Sequence, residues 1–328
     1  MDISTIFNTY PGMYITQSFC HSVIAFLIVE RTIHIWEITN PLVRQRFRII
    51  IILTAVFSMP LYQIITPDRG SIMFRQSSLF DSKRWLYLEI GPLPIGLVFI
   101  IILLVTSLIF FFQELIPIIK HTIESKEPPG IEEDYNIPPL KTALEEIKDK
   151  LTEIRIIKDE DYILYSTTGR SPTIYISTGI IGSLTVDQLR SVIAHEMAHI
   201  KRNKIPLLTI IYLLRVLMFF NPLILIEFRR ITQEEERICD DMAVSITKNP
   251  KALSEALEKL YLHDKSKVII SKKKLSNLKE TLEEYSHNFH IEVRIKRIEK
   301  GINRVATGHW GIFVFILLVI MIINYFVV

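Results

Sequence analysis

The sequence predicts a mainly α-helical membrane protein, and three observations lead to this fold class. Hydrophobic residues make up 49% of the 328 positions and charged residues only 22%, with a mean hydropathy of +0.30, which is more apolar side chain than a soluble core can use. The apolar residues fall in long uncharged runs rather than in short alternating stretches. A long, mostly polar region precedes the last of these runs. The composition therefore excludes a cytosolic enzyme, a fibrous protein and a disordered chain.

Four apolar runs lack any Asp, Glu, Lys or Arg, namely residues 3–29, 49–67, 90–113 and 310–328. A bilayer core about 30 Å thick needs roughly 20 apolar residues as helix, so each run is long enough or nearly so. The first run has no basic segment before it and is too long for a signal peptide, which indicates a retained anchor. We expect about four transmembrane helices.

A fifth apolar stretch, residues 205–228, differs from these runs because Arg215 lies at its middle. Basic residues stand on both sides of it, at 201–204 and at 229–230. Cytoplasmic loops carry an excess of Lys and Arg, so this pattern fits a helical segment that enters and leaves by one face, either re-entrant or interfacial. A buried or single-spanning helix with a snorkelling arginine fits the charges equally well.

The loop after the first run indicates the orientation of the chain. It carries Arg31, Arg44, Arg46 and Arg48, whereas the segment before the run has no Lys or Arg. The positive-inside rule places this loop in the cytoplasm. Alternation then puts both chain ends outside and the polar region inside, in a multi-pass protein of the cell membrane.

These runs divide the chain into three predicted regions. Residues 1–120 form a three-span membrane region, residues 121–304 form a cytoplasmic domain that includes the segment 205–228, and residues 305–328 form a last transmembrane helix. No basic stripe with interleaved aromatic residues appears, so we expect no nucleic-acid partner.

Within the polar region, local patterns predict a small α+β domain. Apolar residues at helical spacing predict a helix over 138–154. Two β-rich runs at 162–165 and 173–176, separated by turn residues, predict a hairpin or small sheet. Thr185 and Gln188, three residues apart, form a capping box that begins a further helix.

That helix contains His195-Glu196-Met197-Ala198-His199, the HExxH pattern. Four residues make about one helical turn, so the two histidines project from one face and can bind a single metal ion. In such a site the glutamate between them serves as general base. The alternative is a pair of surface histidines that face solvent.

A catalytic zinc ion takes three protein ligands and leaves one position for water, so the pattern needs a third donor. Glu236 is the best candidate, because it begins an ExxxD sequence in which Asp240, one turn later, could orient a ligating histidine. Glu234 and Glu235 are competitors, and a solvated helix face is the alternative for the whole acidic cluster. A shared metal ion also requires the segment 205–228 to dip in and return by the same face, or to lie along the interface, with Asn221-Pro222 and Arg215 as possible break points.

Four pieces of the sequence between residues 171 and 244 resemble the membrane-embedded gluzincin peptidases, most closely the BlaR/MecR-type signal-transducer peptidases and more distantly the HtpX and CAAX-processing proteases. The pieces are the strand at 173–176, the block at 192–202, Phe220-Asn221-Pro222-Leu223 and the segment 236–241. The resemblance implies a zincin-like domain in which His195, His199 and Glu236 bind Zn2+ and Glu196 is the catalytic base.

The oxyanion of peptide hydrolysis needs a donor besides the metal ion, and the late segment offers His287, His290, Arg294 and Arg297. Similar membrane gluzincins often place a His or Arg there, so we take His290 and Arg294 as catalytic candidates. The alternative for each is an ordinary surface residue. The strand at 173–177 could pair with the backbone of an extended substrate.

These features predict an integral-membrane zinc metalloendopeptidase that hydrolyses peptide bonds of membrane or membrane-proximal proteins, with its active site facing the cytoplasm. The expected partners are a protein or peptide substrate and the lipid bilayer. The alternative is a non-hydrolytic signal transducer or receptor in which the metallopeptidase fold relays a conformational change. A transporter is less favoured, because the spans show no clear internal repeat.

Overall fold

The computed structural model describes residues 7, 9–90, 93–112, 131–132, 137–145, 147, 153–167, 171–202, 207–263, 291–301 and 309–328. The chain is mostly helical, with a small mixed sheet. It divides into two compact units. The first comprises Met1–Leu115, Ile210–Ile231 and Val305–Val328, and the second comprises Ile116–Thr209 and Thr232–Arg304. The domain boundaries expected from the sequence stay predictions.

The described helices and strands are numbered in chain order. The helices are α1 (Tyr10–Ile35), α2 (Pro41–Ile65), α3 (Ile72–Gln76), α4 (Ser82–Leu86), α5 (Ile95–Phe110), α6 (Pro138–Glu145), α7 (Thr178–Ser183), α8 (Val186–Arg202), α9 (Leu207–Leu217), α10 (Pro222–Thr247), α11 (Pro250–Glu258), α12 (Ile291–Glu299) and α13 (Trp310–Tyr325). The strands are β1 (Glu89–Ile90), β2 (Leu93–Pro94), β3 (Ile131–Glu132), β4 (Glu153–Ile157), β5 (Leu164–Thr167) and β6 (Thr173–Ser177).

Among the described residues, two helices are long and apolar enough to cross a membrane, α1 and α2. Helices α5, α9 and α13 are apolar but shorter. Helices α5 and α13 have 16 residues each, or about 24 Å of helix, against a hydrocarbon core of about 30 Å. The first two apolar runs are therefore candidate spans by length and composition, and the total of four spans stays a prediction.

Helices α1 and α2 pack against each other, and each begins at a side-chain cap. The Oγ1 atom of Thr9 accepts a hydrogen bond from the amide of Gly12, and Oδ1 of Asn40 accepts from the amides of Leu42 and Val43. These caps satisfy amides that the first turn of a helix leaves without an intrahelical partner. Local signals thus determine where both helices begin.

The apolar stretch 205–228 is broken into two helices, α9 and the first turns of α10, at the predicted break point Asn221-Pro222. Proline restricts the residue before it and fits the first turn of a helix. The rings of Tyr212 and Phe228 lie 5.8 Å apart across the break, so the chain reverses direction. We call this feature the apolar hairpin. Its relation to the bilayer stays a prediction.

The four-stranded sheet has the order β3-β4-β6-β5. Strands β5 and β6 pair antiparallel, which confirms the predicted hairpin. Strand β4 runs parallel to β6 on its other side, and β3 pairs antiparallel with β4. Strand β6 therefore has neighbours on both sides, whereas β5 is an edge strand of the described sheet.

The helix predicted over 138–154 is too long, because α6 ends at Glu145 and residues 153–157 form β4. Ile154, Ile156 and Ile157 of this strand are buried. Their β-branched side chains restrict the backbone and pack well on a sheet. The strand pairs with β6, which lies far along the chain, so a local helical spacing gave the wrong boundary.

Helix α8 shares a hydrophobic core with the sheet. Its buried members on α8 and β6 are Leu189, Val192, Ile193, Met197, Ile174 and Ile176. The predicted capping box is confirmed, because the amide of Gln188 donates to Oγ1 of Thr185 at 3.3 Å and the amide of Thr185 donates to Oε1 of Gln188 at 3.1 Å. The helix that carries HExxH is thus held by its cap and by its apolar face.

Candidate metal centre

Helix α8 carries the HExxH residues into the interior of the second unit. The side chains of His195, Glu196 and His199 are all buried. The helical spacing places the two imidazole rings one turn apart, with 3.2 Å between their Nε2 atoms. The alternative of surface histidines that face solvent is therefore wrong.

Helix α10 brings a buried carboxylate to the same place. The Oε2 atom of Glu236 lies 3.5 Å from Nε2 of His195, and its Oε1 atom lies 3.4 Å from Nε2 of His199. One ligand atom from each of the three residues lies within 4.8 Å of the others. Among the described residues, no other group of His, Cys, Asp and Glu side chains converges in this way.

The three donors fit a zinc ion in chemistry and in spacing. Two imidazoles and one carboxylate form a ligand set of catalytic zinc sites. Donors at about 2.0–2.1 Å from a tetrahedral zinc ion lie about 3.4 Å from one another. The two histidine Nε2 atoms lie 3.2 Å apart, which agrees with that value, and each of them lies 3.4 or 3.5 Å from a different carboxylate oxygen of Glu236.

Asp240 orients the first histidine from behind. Its Oδ1 atom lies 3.1 Å from Nδ1 of His195, which favours a proton on that nitrogen and leaves Nε2 as the nitrogen that would face a metal ion. Burial alone would raise the pKa of Asp240, but the Arg294 guanidinium and His195 outweigh burial and hold the pKa below its usual range. Asp240 is therefore ionised.

The two histidines differ in their electrostatic surroundings. Burial lowers the pKa of His199 to about 4, which keeps this ring in the neutral form that binds a metal ion. Burial also acts to lower the pKa of His195, but Asp240 and Glu236 outweigh it and raise the pKa to about 9. A metal ion that binds His195 must therefore displace a proton.

Cys239 contacts the second histidine. Its Sγ atom lies 3.4 Å from Nδ1 of His199. Cys239 thus contacts Nδ1 of His199, and Asp240 contacts Nδ1 of His195. Burial raises the pKa of the Cys239 thiol well above its usual value. A buried, protonated thiol is a poor nucleophile, so this cysteine is a packing partner of the site.

Arg294, the expected oxyanion donor, contacts two carboxylates of the candidate site, and its catalytic role stays a prediction. It is buried, and its guanidinium donates to both carboxylate oxygens of Asp240, at 2.9 and 2.7 Å. Its Nη1 atom also lies 2.8 Å from Oε2 of Glu236. Two buried carboxylates attract the guanidinium, and a forked charge-assisted pair holds it there. Its observed contacts therefore position two carboxylates of the metal centre.

The two neighbouring acids that competed for the ligand role are engaged elsewhere. Glu234 pairs with Arg237 at 2.9 Å, and Glu235 pairs with Arg202 at 2.5 Å. Both glutamates are buried, so the acidic cluster is not a solvated helix face. Glu236 is the member of the cluster that lies against the histidines.

A protein-family model described as BlaR1 peptidase M56 matches residues 92–297, which is more than half of the chain. The chain belongs to this family. The M56 match spans both helices that carry the three converging donors, and it confirms the resemblance inferred from the sequence. A search of curated proteins found no match.

Ser166, which the sequence did not single out, lies beside the HExxH glutamate of this M56 chain. It is buried on the edge strand β5, and its hydroxyl donates to Oε2 of Glu196 at 2.8 Å. A serine in a β-rich run carries no local signal of such a contact. Only the packing of β5 against α8 reveals it.

The remaining residues of the late segment do not all fall within the described part of the chain. His287 and His290 lie outside the described residues. Arg297 is described and forms a partly exposed ion pair with Asp241 at 2.7 Å. This arrangement fits the alternative of an ordinary surface residue.

Proposed function

We propose that this M56-family chain is an integral-membrane zinc metalloendopeptidase with its active site facing the cytoplasm. The observation that carries the proposal is the convergence of three buried donors, His195, His199 and Glu236, on the helix turn that also carries the buried Glu196. Burying charged groups costs free energy unless they are paired or bind a metal ion, so a buried cluster of donors favours metal binding. The family match supports a peptidase.

The residues around the cluster divide into ligands and positioning groups. His195, His199 and Glu236 would hold the zinc ion, while Asp240 and Arg294 keep a histidine and the ligating carboxylate in place. Such outer partners typically change metal affinity or activity about 10- to 100-fold when they are removed. A zinc ion in this site would act as a Lewis acid that acidifies water and polarises a peptide carbonyl.

Glu196 is the proposed general base. Its Oε2 atom accepts the hydrogen bond from Ser166, and one of its carboxylate oxygens takes a proton from the attacking water. The same oxygen then donates that proton to the amine nitrogen as the peptide C–N bond breaks. Glu196 therefore both accepts the proton from water and passes it to the leaving amine.

Strand β5, rather than β6, is the strand that could pair with a substrate. Strand β6 was proposed from the sequence to pair with substrate, but β4 and β5 already occupy its two sides. Strand β5 has a neighbour on one side only among the described strands, and it carries Ser166. An extended substrate would therefore add to the edge of β5, next to Glu196, through main-chain hydrogen bonds.

A membrane setting supports substrates in or near the bilayer. Helices α1 and α2 are candidate spans. The start of α2 carries Arg44, Arg46 and Arg48, which favours a cytoplasmic position for that end of both helices. Membrane or membrane-proximal proteins are the substrates that such an anchored peptidase reaches.

The test is zinc analysis of the purified, detergent-solubilised chain together with cleavage of a membrane-protein substrate, for the parent and for Glu196→Gln. We expect both proteins to contain zinc, and we expect Glu196→Gln to lose cleavage by about 100-fold or more, because general-base catalysis contributes at least that factor. Glu292→Gln, on helix α12, is the control that should retain full activity.

Full proteolysis by Glu196→Gln would show that the assigned base is wrong. A parent that binds zinc but cleaves nothing would favour the alternative of a conformational relay. A parent that binds no zinc would overturn the metal centre itself.

A further inference from the structure

A pocket in the first unit lies within the loop that joins α2 to α5. Its volume is about 730 Å³, and residues of α3, α4 and the turn between them line it. Sites for small ligands usually measure about 300–1,000 Å³, so the pocket is large enough to hold a headgroup-sized molecule. It contains none of the residues of the metal centre.

The charged part of the lining is basic. Arg75 and Arg84 face one acid, Asp81, and the closest approach of Arg75 to Asp81 is 3.8 Å, which is longer than a hydrogen bond. Oδ1 of Asp81 already accepts hydrogen bonds from the amides of Lys83 and Arg84, where it caps α4. The Nε atom of Arg75 is buried and has no hydrogen-bond partner among the described residues. Both guanidinium groups therefore have donors available for an anion.

Apolar residues form another part of the lining, beside the polar Gln76 and Ser78. Phe80 and Trp85 form one wall, with 5.2 Å between their ring centroids. Ile72 and Leu79 also line the pocket and are 77% and 70% exposed. Exposed apolar side chains beside an aromatic pair, in a loop that follows a candidate span, fit a position at the membrane interface.

We propose that this pocket binds the headgroup of an anionic phospholipid from the bilayer. The phosphate lies between Arg75 and Arg84, whose guanidinium groups suit phosphate oxygens. The glycerol and acyl part lies against Ile72 and Leu79. A free phosphate would use the arginines but would leave the apolar wall in water, so the combination of the two favours a lipid.

The test is native mass spectrometry of the full chain in detergent, with phosphatidylglycerol and phosphatidylcholine of the same acyl chains as probes. We expect the parent to retain phosphatidylglycerol in preference to phosphatidylcholine. Arg75→Gln and Arg84→Gln should each weaken that retention about fivefold, the contribution of one basic residue near an anionic lipid. Lys83→Gln is the matched control, since Lys83 belongs to the same loop but does not line the pocket.

Equal retention of the two lipids, or an equal loss in Lys83→Gln, would overturn the proposal. Displacement of the lipid by soluble glycerol phosphate at the same concentration would also overturn it, because the pocket would then recognise the ion alone. Arg84 is exposed, so Arg84→Gln should unfold at the same temperature as the parent. Peptidase activity plays no part in this measurement, so its outcome is independent of the proposed function.

Discussion

At the residue scale, the contact between Ser166 and Glu196 fixes one oxygen of the proposed general base. A carboxylate on a flexible side chain can rotate, and rotation takes its oxygens away from the attacking water. The Ser166 hydroxyl donates to Oε2 at 2.8 Å from a buried strand position, so it restricts that rotation. Hydrogen bonds to charged groups are also stronger than neutral ones.

We predict that Ser166→Ala lowers kcat about tenfold while KM and zinc content stay unchanged, because the variant frees the base without removing a ligand or the strand edge. Steady-state kinetics and zinc analysis measure the three quantities. Thr167→Val is the control on the same strand, since it loses only the bond from Thr167 Oγ1 to the Thr173 carbonyl. A rise in KM with unchanged kcat would assign Ser166 to substrate binding instead, and Ser166→Thr should restore part of the rate.

At the element scale, four charged residues tie helices α1, α2 and α10 together in the first unit. Arg48 on α2 lies 2.6 Å from Glu30 and 2.9 Å from Glu227, and Arg230 lies 2.8 and 2.9 Å from the same two acids. Arg48 and Glu227 are buried. The second arm of the apolar hairpin is thus held by a paired network as well as by apolar contacts.

We predict that Arg48→Ala lowers the free energy of unfolding by about 3 kcal/mol, because it leaves the buried Glu227 with one cation fewer. Thermal or denaturant unfolding in detergent measures the loss. Arg31→Ala, at an exposed position of α1, should change stability by less than about 0.5 kcal/mol. Adding Glu227→Gln to Arg48→Ala should recover part of the loss, and a double variant less stable than either single one would contradict the network.

At the scale of the whole molecule, the order of elements along the chain constrains the topology. His195 and His199 precede the apolar hairpin and Glu236 follows it, yet their donor atoms converge. The chain therefore leaves the second unit at the hairpin and comes back to it afterwards. The reversal at Asn221-Pro222 supplies the means.

We predict that cysteines introduced at Lys201 and at Arg229, in a Cys20→Ser background, react with an impermeant thiol reagent from the same side of the membrane. Labelling of intact cells and of inverted vesicles measures this. Ser77→Cys, in the loop between α3 and α4, should react from the opposite side. Labelling of positions 201 and 229 from opposite sides of the membrane would contradict both the shared metal centre and the return of the apolar hairpin to one side.

The sequence by itself determined the features that depend on near neighbours. The HExxH spacing, the capping box of α8, the β5–β6 hairpin and the break at Asn221-Pro222 each arise within a few residues, where helical period, cap chemistry and proline geometry act directly.

Only the tertiary structure decided the features that depend on distant partners. It selected Glu236 over Glu234 and Glu235, because arginines far along the chain or one turn away engage the other two. It showed that Arg294 contacts two carboxylates, Glu236 and Asp240, and that the end of a predicted helix is strand β4. Buried charges and strand edges take whichever partner the fold brings within reach, and local sequence does not specify that partner.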